Sequence, residues 1–392
     1  MSHRMRALDG LRGILALYIL AGHTLPFLWL PPGLGWVAGL VSHGRAAVDL
    51  FFALSGLVIL HALEEGGFPG RAGAGRFLAL RAGRLLPVYL LALGLACLGL
   101  AAGDPFAAMP WLAPDSAAHA VAGAHWPPQL ALHLAAHVLL LQGLLPPALL
   151  PGAEYAILGP AWSLSTEWQF YGFMALCLAI APRLLAAGGG RATILLLLLG
   201  VIGLGIAALP ESWRFGHAFL PRDAWYFALG TASHAFLSGR TSRARYGLVL
   251  AGATVLSGVA GGIGAMLVPL VWTLCLRAER PRMSVDHALR RLLMARPLVW
   301  CGGISYTLYL IHAPLQRLLM LGIAPWAGGD GRLFTLLWAL PAILLPLAAA
   351  ALVHRWIEEP IRLWSRTRIL GAPRPGLTPF GSGSYTSVAG RL

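Results

Sequence analysis

Apolar residues along this chain fall into runs of about 15–25, not into the alternation of a half-buried strand or the narrow stripe of a soluble helix. The runs cover residues 11–30, 47–63, the stretch after Arg84 to 103, 162–182, 192–209, 223–238, 246–261, 263–277, 298–322 and 333–354. About 20 helical residues at a rise of about 1.5 Å cross the hydrocarbon of a bilayer. The pattern therefore predicts an all-α fold, a polytopic transmembrane bundle of about ten helices. Gly261 and Gly262 read as a tight turn between the seventh and eighth. Residues 104–160 are rich in Pro, His, Ala and Trp. Their apolar part, 130–150, is broken by Gln142, Pro146 and Pro147 and is expected to be re-entrant or interfacial, outside the count. Residues 1–370 form one transmembrane domain. The tail, 371–392, is rich in Gly, Pro, Ser and Thr and is expected to be disordered.

Charge fixes the orientation. Only 11% of residues are charged against 58% hydrophobic, and all 29 basic residues are Arg. With a cytoplasmic N-terminus, the inside segments 1–10, 64–84, 183–191, 239–245, 277–297 and 355–392 hold 23 of the 29 arginines. Arg45, Arg214, Arg222 and Arg332 fall outside, and Arg317 within the ninth helix. Basic residues accumulate in cytoplasmic loops, so both termini are placed in the cytoplasm. A span at 130–150 would invert this pattern downstream. The net charge of +14 thus reflects topology, and no nucleic-acid partner is expected. Asp9, Arg12 and His23 interrupt the first run, which reads as a retained helix rather than a leader. Cys97, Cys177, Cys275 and Cys301 lack metal-ligand spacing and read as small buried hydrophobes; no metal is expected.

Ionisable groups within membrane helices are costly, so each is a candidate for function. Arg12 and His23 lie 11 residues apart in RALDGLRGILALYILAGHTL. That spacing is about 16.5 Å along a helix and about 20° in azimuth, so they share a face. An extended ligand with an anionic end and a reactive end suits it, with His moving a proton; a histidine bonded to a neighbouring helix would explain His23 equally well. Arg81 and Arg84 in RFLALRAGRLLPVYLL project to nearly the same side, as phosphate or carboxylate binders or as a positive-inside anchor. Asp49 in VDLFFALSGLVIL lies where Arg45 could pair with it, and Ser55 and Gly56 could serve close packing. Glu167 in PAWSLSTEWQFYGF sits among aromatics and is a candidate to orient a histidine. His312 and Tyr309 in CGGISYTLYLIHAPL are acceptor-side candidates. Glu358 and Glu359 in HRWIEEPIRLW are expected to pair with arginines. No phosphate-binding glycine loop, dinucleotide fingerprint or nucleophile elbow is present.

Taken in order, LDGLRGILAL with Arg12 and His23, VDLFFALSGLVI, FLALRAGRLLPVY, WSLSTEWQFY, ISYTLYLIHAPL and the closing IEEP resemble the acyltransferase-3 family of bacterial integral-membrane O-acyltransferases. The resemblance runs from about residue 6 to 363. It implies ten membrane helices in the bacterial inner membrane, and transfer of an acyl group, acetyl foremost, from cytoplasmic acyl-CoA to a hydroxyl. The acceptor it implies is a glycan, lipid-linked or otherwise part of the cell envelope or its secreted products. Acyl-CoA is then a co-substrate, with no cofactor held permanently and membrane lipids around the bundle; a homo-oligomer is left open. The resemblance implies that His23 is catalytic and matches Arg12, Arg81, Arg84 and Glu167 to family positions. Combined with the helix geometry, it leads us to expect Arg12, Arg81 and Arg84 to hold the donor and Glu167 or Asp49 to fix the tautomer of His23. Gly56, Leu57 and Val58 stand where the family has Gly-Phe-Leu. The absence of a fused esterase-like domain leads us to expect an acceptor that reaches the membrane site itself. The rival reading is a proton-coupled transporter or flippase without chemistry; inverted repeats with broken helices would favour it, and the sequence has none.

Overall fold

The computed structural model describes residues 5–371 apart from Pro32, Pro69, Gly123 and Ala124; the tail expected to be disordered lies outside the described residues. The fold is all-α, with no strand among the described residues. The long helices are α1 (Arg6–Thr24), α3 (Gly44–Gly66), α4 (Gly70–Ala101), α7 (Trp162–Ile180), α8 (Ala186–Ala207), α9 (Ala224–Leu237), α10 (Arg243–Ala265), α11 (Leu267–Glu279), α13 (Arg296–Ile323) and α14 (Gly331–Val353). Shorter helices are α2 (Trp36–Leu40), α5 (Ala117–Ala122), α6 (Leu130–Val138), α12 (Ser284–Leu293) and α15 (Glu359–Leu370).

Among the described residues, seven helices are long and apolar enough to cross a membrane, those built on α1, α3, α4, α8, α10, α13 and α14. The other three of the ten expected runs form real but different helices. The 19 residues of α7 carry Ser, Thr, Glu and Gln among the apolar ones. The 14 residues of α9 and 13 of α11 rise only about 20 Å. Helix α9 is wrapped by α3, α8 and α10, with every residue from Ala224 to Ala235 buried. A helix enclosed by protein has no lipid thickness to match. At the expected Gly-Gly turn the chain bends at Gly262 (φ 76°) and α10 continues to Ala265 before α11 starts. Residues 130–150 contain the nine-residue α6 and a short 3-10 turn at Gln142–Leu144, and no helix long enough to span. They dock on α7, where Ser165 donates to the Leu140 carbonyl at 2.8 Å and accepts from the Gly143 N–H at 3.1 Å.

The crossing of α1 with α13 organises the interior. Leucines do not drive helices together in lipid, so close backbone approach through small residues carries the association. A Cβ on Gly302 of α13 would overlap the Asp9 carbonyl of α1. One on Gly13 would meet the Gly302 nitrogen at 3.0 Å and the Leu298 carbonyl closer still. The opening turn of α1 has orphan N–H groups; Glu279 of α11 accepts the Leu8 N–H at 2.9 Å. At the other end, Gln316 of α13 donates to Thr24 of α1 at 2.8 Å and to the Ala342 carbonyl of α14 at 3.2 Å. A second small-residue crossing joins α3 and α9, where Gly56 meets the Phe227 carbonyl and Gly230 the Ala53 carbonyl. The four cysteines are free, three buried and Cys97 half-buried, as their apolar settings imply.

Replacing Gly302 by Leu should push α1 off α13. Overpacking of this kind costs roughly 1–3 kcal/mol or more, so the detergent-solubilised variant should melt several degrees below wild type. Gly303→Leu, where a Cβ meets nothing, should not.

Candidate active site

Five helices converge on a narrow cavity of about 90 Å³. Arg12 enters from α1, Ser55 from α3, Arg81 and Arg84 from α4, Glu167 and Tyr171 from α7, and Tyr306 and Tyr309 from α13. The three-residue spacing of Arg81 and Arg84 puts both on this face, as the sequence predicts. The Arg81 guanidinium lies 5.4 Å over the Phe77 ring and 5.8 Å over the Tyr171 ring. Three guanidiniums face one carboxylate, and the buried Nε atoms of Arg12 and Arg81 have no hydrogen-bond partner. Buried polar groups are ordinarily paired, so this wall presents unused donors of the kind an anion takes. Glu167 accepts from Ser55 at 2.7 Å and from the Tyr171 hydroxyl.

A second, larger cavity of about 850 Å³ lies beyond it. Its wall includes His23, Arg45, Tyr155, Trp162, His217 and Tyr309. Val48 and Tyr309 line both cavities, so the two adjoin there. The Tyr309 hydroxyl donates to the Pro160 carbonyl at 2.8 Å and takes a hydrogen bond from Ser163 at 2.8 Å. Arg45 lies 4.9 Å over the Trp162 ring.

The sequence-predicted residues thus separate into groups. Arg12, Arg81, Arg84 and Glu167 share the narrow cavity, and His23 stands on the large one. Tyr309 sits at the junction. His312, 1% exposed, lines neither cavity; its ring packs against that of His23 with centroids 4.8 Å apart. Asp49, 4% exposed, also lines neither. It pairs with Arg45 at 3.0 Å, and Asp223 binds the same guanidinium. Glu359 pairs with Arg362 at 2.6 Å, as expected. Glu358 departs from that expectation. It turns inward at a π-helical turn, His354–Glu358, accepting from Thr307 at 2.6 Å and contacting His354 Nδ1 at 2.8 Å. Sequence reasoning passed over Ser163, Tyr171 and Glu358 as site residues; all three fall within the quoted motifs, which was the available signal. Among the described residues no group of three or more His, Cys, Asp or Glu side chains could hold a metal.

Comparison with known proteins gives a matching picture. The sequence profile of the acyltransferase-3 family, described as an acyltransferase domain, matches residues 5–355. A segment of 92 residues, 24% of this chain, is 41% identical to the protein called Protein 2 in picA locus of Rhizobium radiobacter. The match spans 44% of that relative, less than half its length. No solved structure was found to match the chain.

Asp49→Asn should lower stability by about 1–3 kcal/mol, the cost of weakening a largely buried charged hydrogen bond. Binding of a phosphate-bearing ligand at the arginine cavity should stay within twofold of wild type. Thermal melting and ligand titration on the same preparation check both.

Proposed function

Because the chain belongs to the acyltransferase-3 family, we propose that this multi-pass membrane protein is an O-acyltransferase moving an acyl group, acetyl foremost, from acyl-CoA to a hydroxyl of a cell-envelope or secreted glycan. The observation that carries the reading is the pair of adjoining cavities, one cationic and one holding His23 among aromatic side chains.

In this reading the narrow cavity is the donor side and opens toward the cytoplasm of a bacterium, where acyl-CoA is made. Arg12, Arg81 and Arg84 receive its phosphates through charge-assisted hydrogen bonds, for which planar guanidinium is suited. Glu167, engaged by Ser55 and Tyr171, orders that wall. A thread-like pantetheine arm fits a narrow passage. It spans about 15–20 Å, comparable with the helical rise of about 16.5 Å between Arg12 and His23. The thioester then arrives at the Tyr309 junction, beside His23.

The large cavity takes the acceptor. Its aromatic wall of Tyr155, Trp162 and Tyr309 offers flat apolar faces to a sugar ring, and its volume lies within the range of small-molecule sites. His23 takes the proton of the acceptor hydroxyl as the oxygen attacks the thioester carbonyl. The C–S bond breaks, and the proton passes to the departing thiolate. A covalent acyl-histidine route uses the same residue as nucleophile instead. Asp49 and Asp223 enter this scheme by holding Arg45 against Trp162.

Protein purified in nanodiscs with radiolabelled acetyl-CoA tests the reading. His23→Ala should lose at least about 100-fold in acetyl transfer or hydrolysis while still binding the donor. Arg81→Ala/Arg84→Ala should weaken donor binding at least about tenfold, the loss of one or two charged hydrogen bonds. Full activity of His23→Ala would overturn the mechanism. If wild type bound neither acetyl-CoA nor longer acyl-CoAs, the acyl-transfer reading would fall and transport would replace it.

A further inference from the structure

Neither carboxylate suggested to orient His23 meets it; a ring from α13 does. Glu167 is committed to Ser55 and Tyr171, and Asp49 to Arg45. The ring packed on His23 is that of His312, with centroids 4.8 Å apart at an interplanar angle of 67°. Two imidazoles joined by an N–H···N bond have centroids about 5 Å apart, so the separation is already that of a bonded pair.

The polar atoms of the pair are complementary. His312 Nδ1 lies 3.1 Å from the Leu308 carbonyl, one turn back on α13. A carbonyl only accepts, so the proton resides on Nδ1 and Nε2 carries a lone pair. That Nε2 is buried and has no partner. His23 Nδ1 is likewise buried and unpartnered. His23 Nε2 is not among these buried, unpartnered atoms, and His23 lines the large cavity. A bond between them requires a turn of the His23 ring about its Cβ–Cγ bond, a soft torsion. The backbone holds both rings in range, through the Gly13–Gly302 approach below and the Gln316–Thr24 bond one turn above.

The geometry points to a histidine dyad: His312 is the positioning residue that fixes the proton of His23 on Nδ1 and so presents Nε2 as the base. The chain then runs from the Leu308 carbonyl through His312 to His23, with one lone pair left facing the acceptor. This rests on the acyl-transfer reading given above. The acceptor hydroxyl gives its proton to His23 Nε2 as its oxygen bonds to the thioester carbonyl carbon. The C–S bond breaks, and His23 returns that proton to the thiolate sulfur. His312 accepts a hydrogen bond throughout and neither gains nor loses a proton. Being closed off from both cavities, it touches no substrate.

Acetyl transfer should be measured in nanodiscs for His312→Phe, His312→Gln and His23→Ala beside wild type, with melting temperature recorded for each. Phe keeps an apolar ring and removes the acceptor atom; Gln keeps an acceptor and removes the ring. His312→Phe should lose about 10–100-fold in kcat, with KM for acetyl-CoA within twofold of wild type. His312→Gln should recover at least about a third of the wild-type kcat. If Phe proves too bulky and lowers the melting temperature, His312→Met takes its place with the same expectation. Wild-type kcat in the apolar variant, with His23→Ala inactive, would overturn the dyad and leave the acyl-transfer reading standing. A His312→Gln loss as deep as that of His312→Phe would overturn it as well, since ring shape and not the acceptor atom would then matter. Full activity of His23→Ala would overturn both.

Discussion

The close crossing of α1 and α13 is the constraint on which the rest depends. Two backbones meet at Gly13 and Gly302, where no side chain larger than hydrogen fits. That contact sets the two helices at a fixed register. Above it, the His23–Thr24 end of one is brought against the His312–Gln316 end of the other. Below it, Arg12 is carried into the space between α4 and α7, where Arg81, Arg84 and Glu167 already project. In a bilayer, where apolar side chains gain little from leaving lipid for protein, such backbone contacts and buried hydrogen bonds carry much of the specificity of assembly.

The same geometry separates charge from chemistry. The guanidiniums lie in one compartment and the histidine on another, with Tyr309 anchored between them by Pro160 and Ser163. In the proposed function this keeps the anionic end of the donor away from the reacting bond. Buried acids are spread through the walls rather than gathered at the histidine. Glu167 is held by two hydroxyls, Glu358 by Thr307 and His354, and Asp49 and Asp223 by one shared arginine. Each has a partner, as carboxylates removed from water must.

Much of this was legible in the sequence, for local reasons. Long apolar runs fixed the helices and their rough bounds, and the three-residue spacing of Arg81 and Arg84 placed both on one face. Arg12 and His23 could be aligned from helical periodicity alone. The failures were tertiary. Hydropathy cannot tell a helix facing lipid from one enclosed by protein, and so α9 read as an ordinary span. Glu167 looked free to orient a histidine because Ser55, 112 residues earlier, is invisible as its partner. Nothing in the order of residues shows that the His312 ring on the ninth apolar run meets the His23 ring on the first. Glu358 read as a partner of cytoplasmic arginines because a π-helical turn has no reliable local signature.

The central claim is that the arginine cavity and the His23 cavity form one continuous path for a single donor molecule. A cryo-EM structure of the nanodisc-reconstituted protein with a non-hydrolysable acetyl-CoA analogue tests it most directly. The account predicts density for the phosphates at Arg81 and Arg84, and for the arm running past Tyr309, with its acyl end within about 4 Å of His23, the reach of a near-attack geometry. An analogue bound with its acyl end away from His23, or with its phosphates away from the arginines, would contradict it.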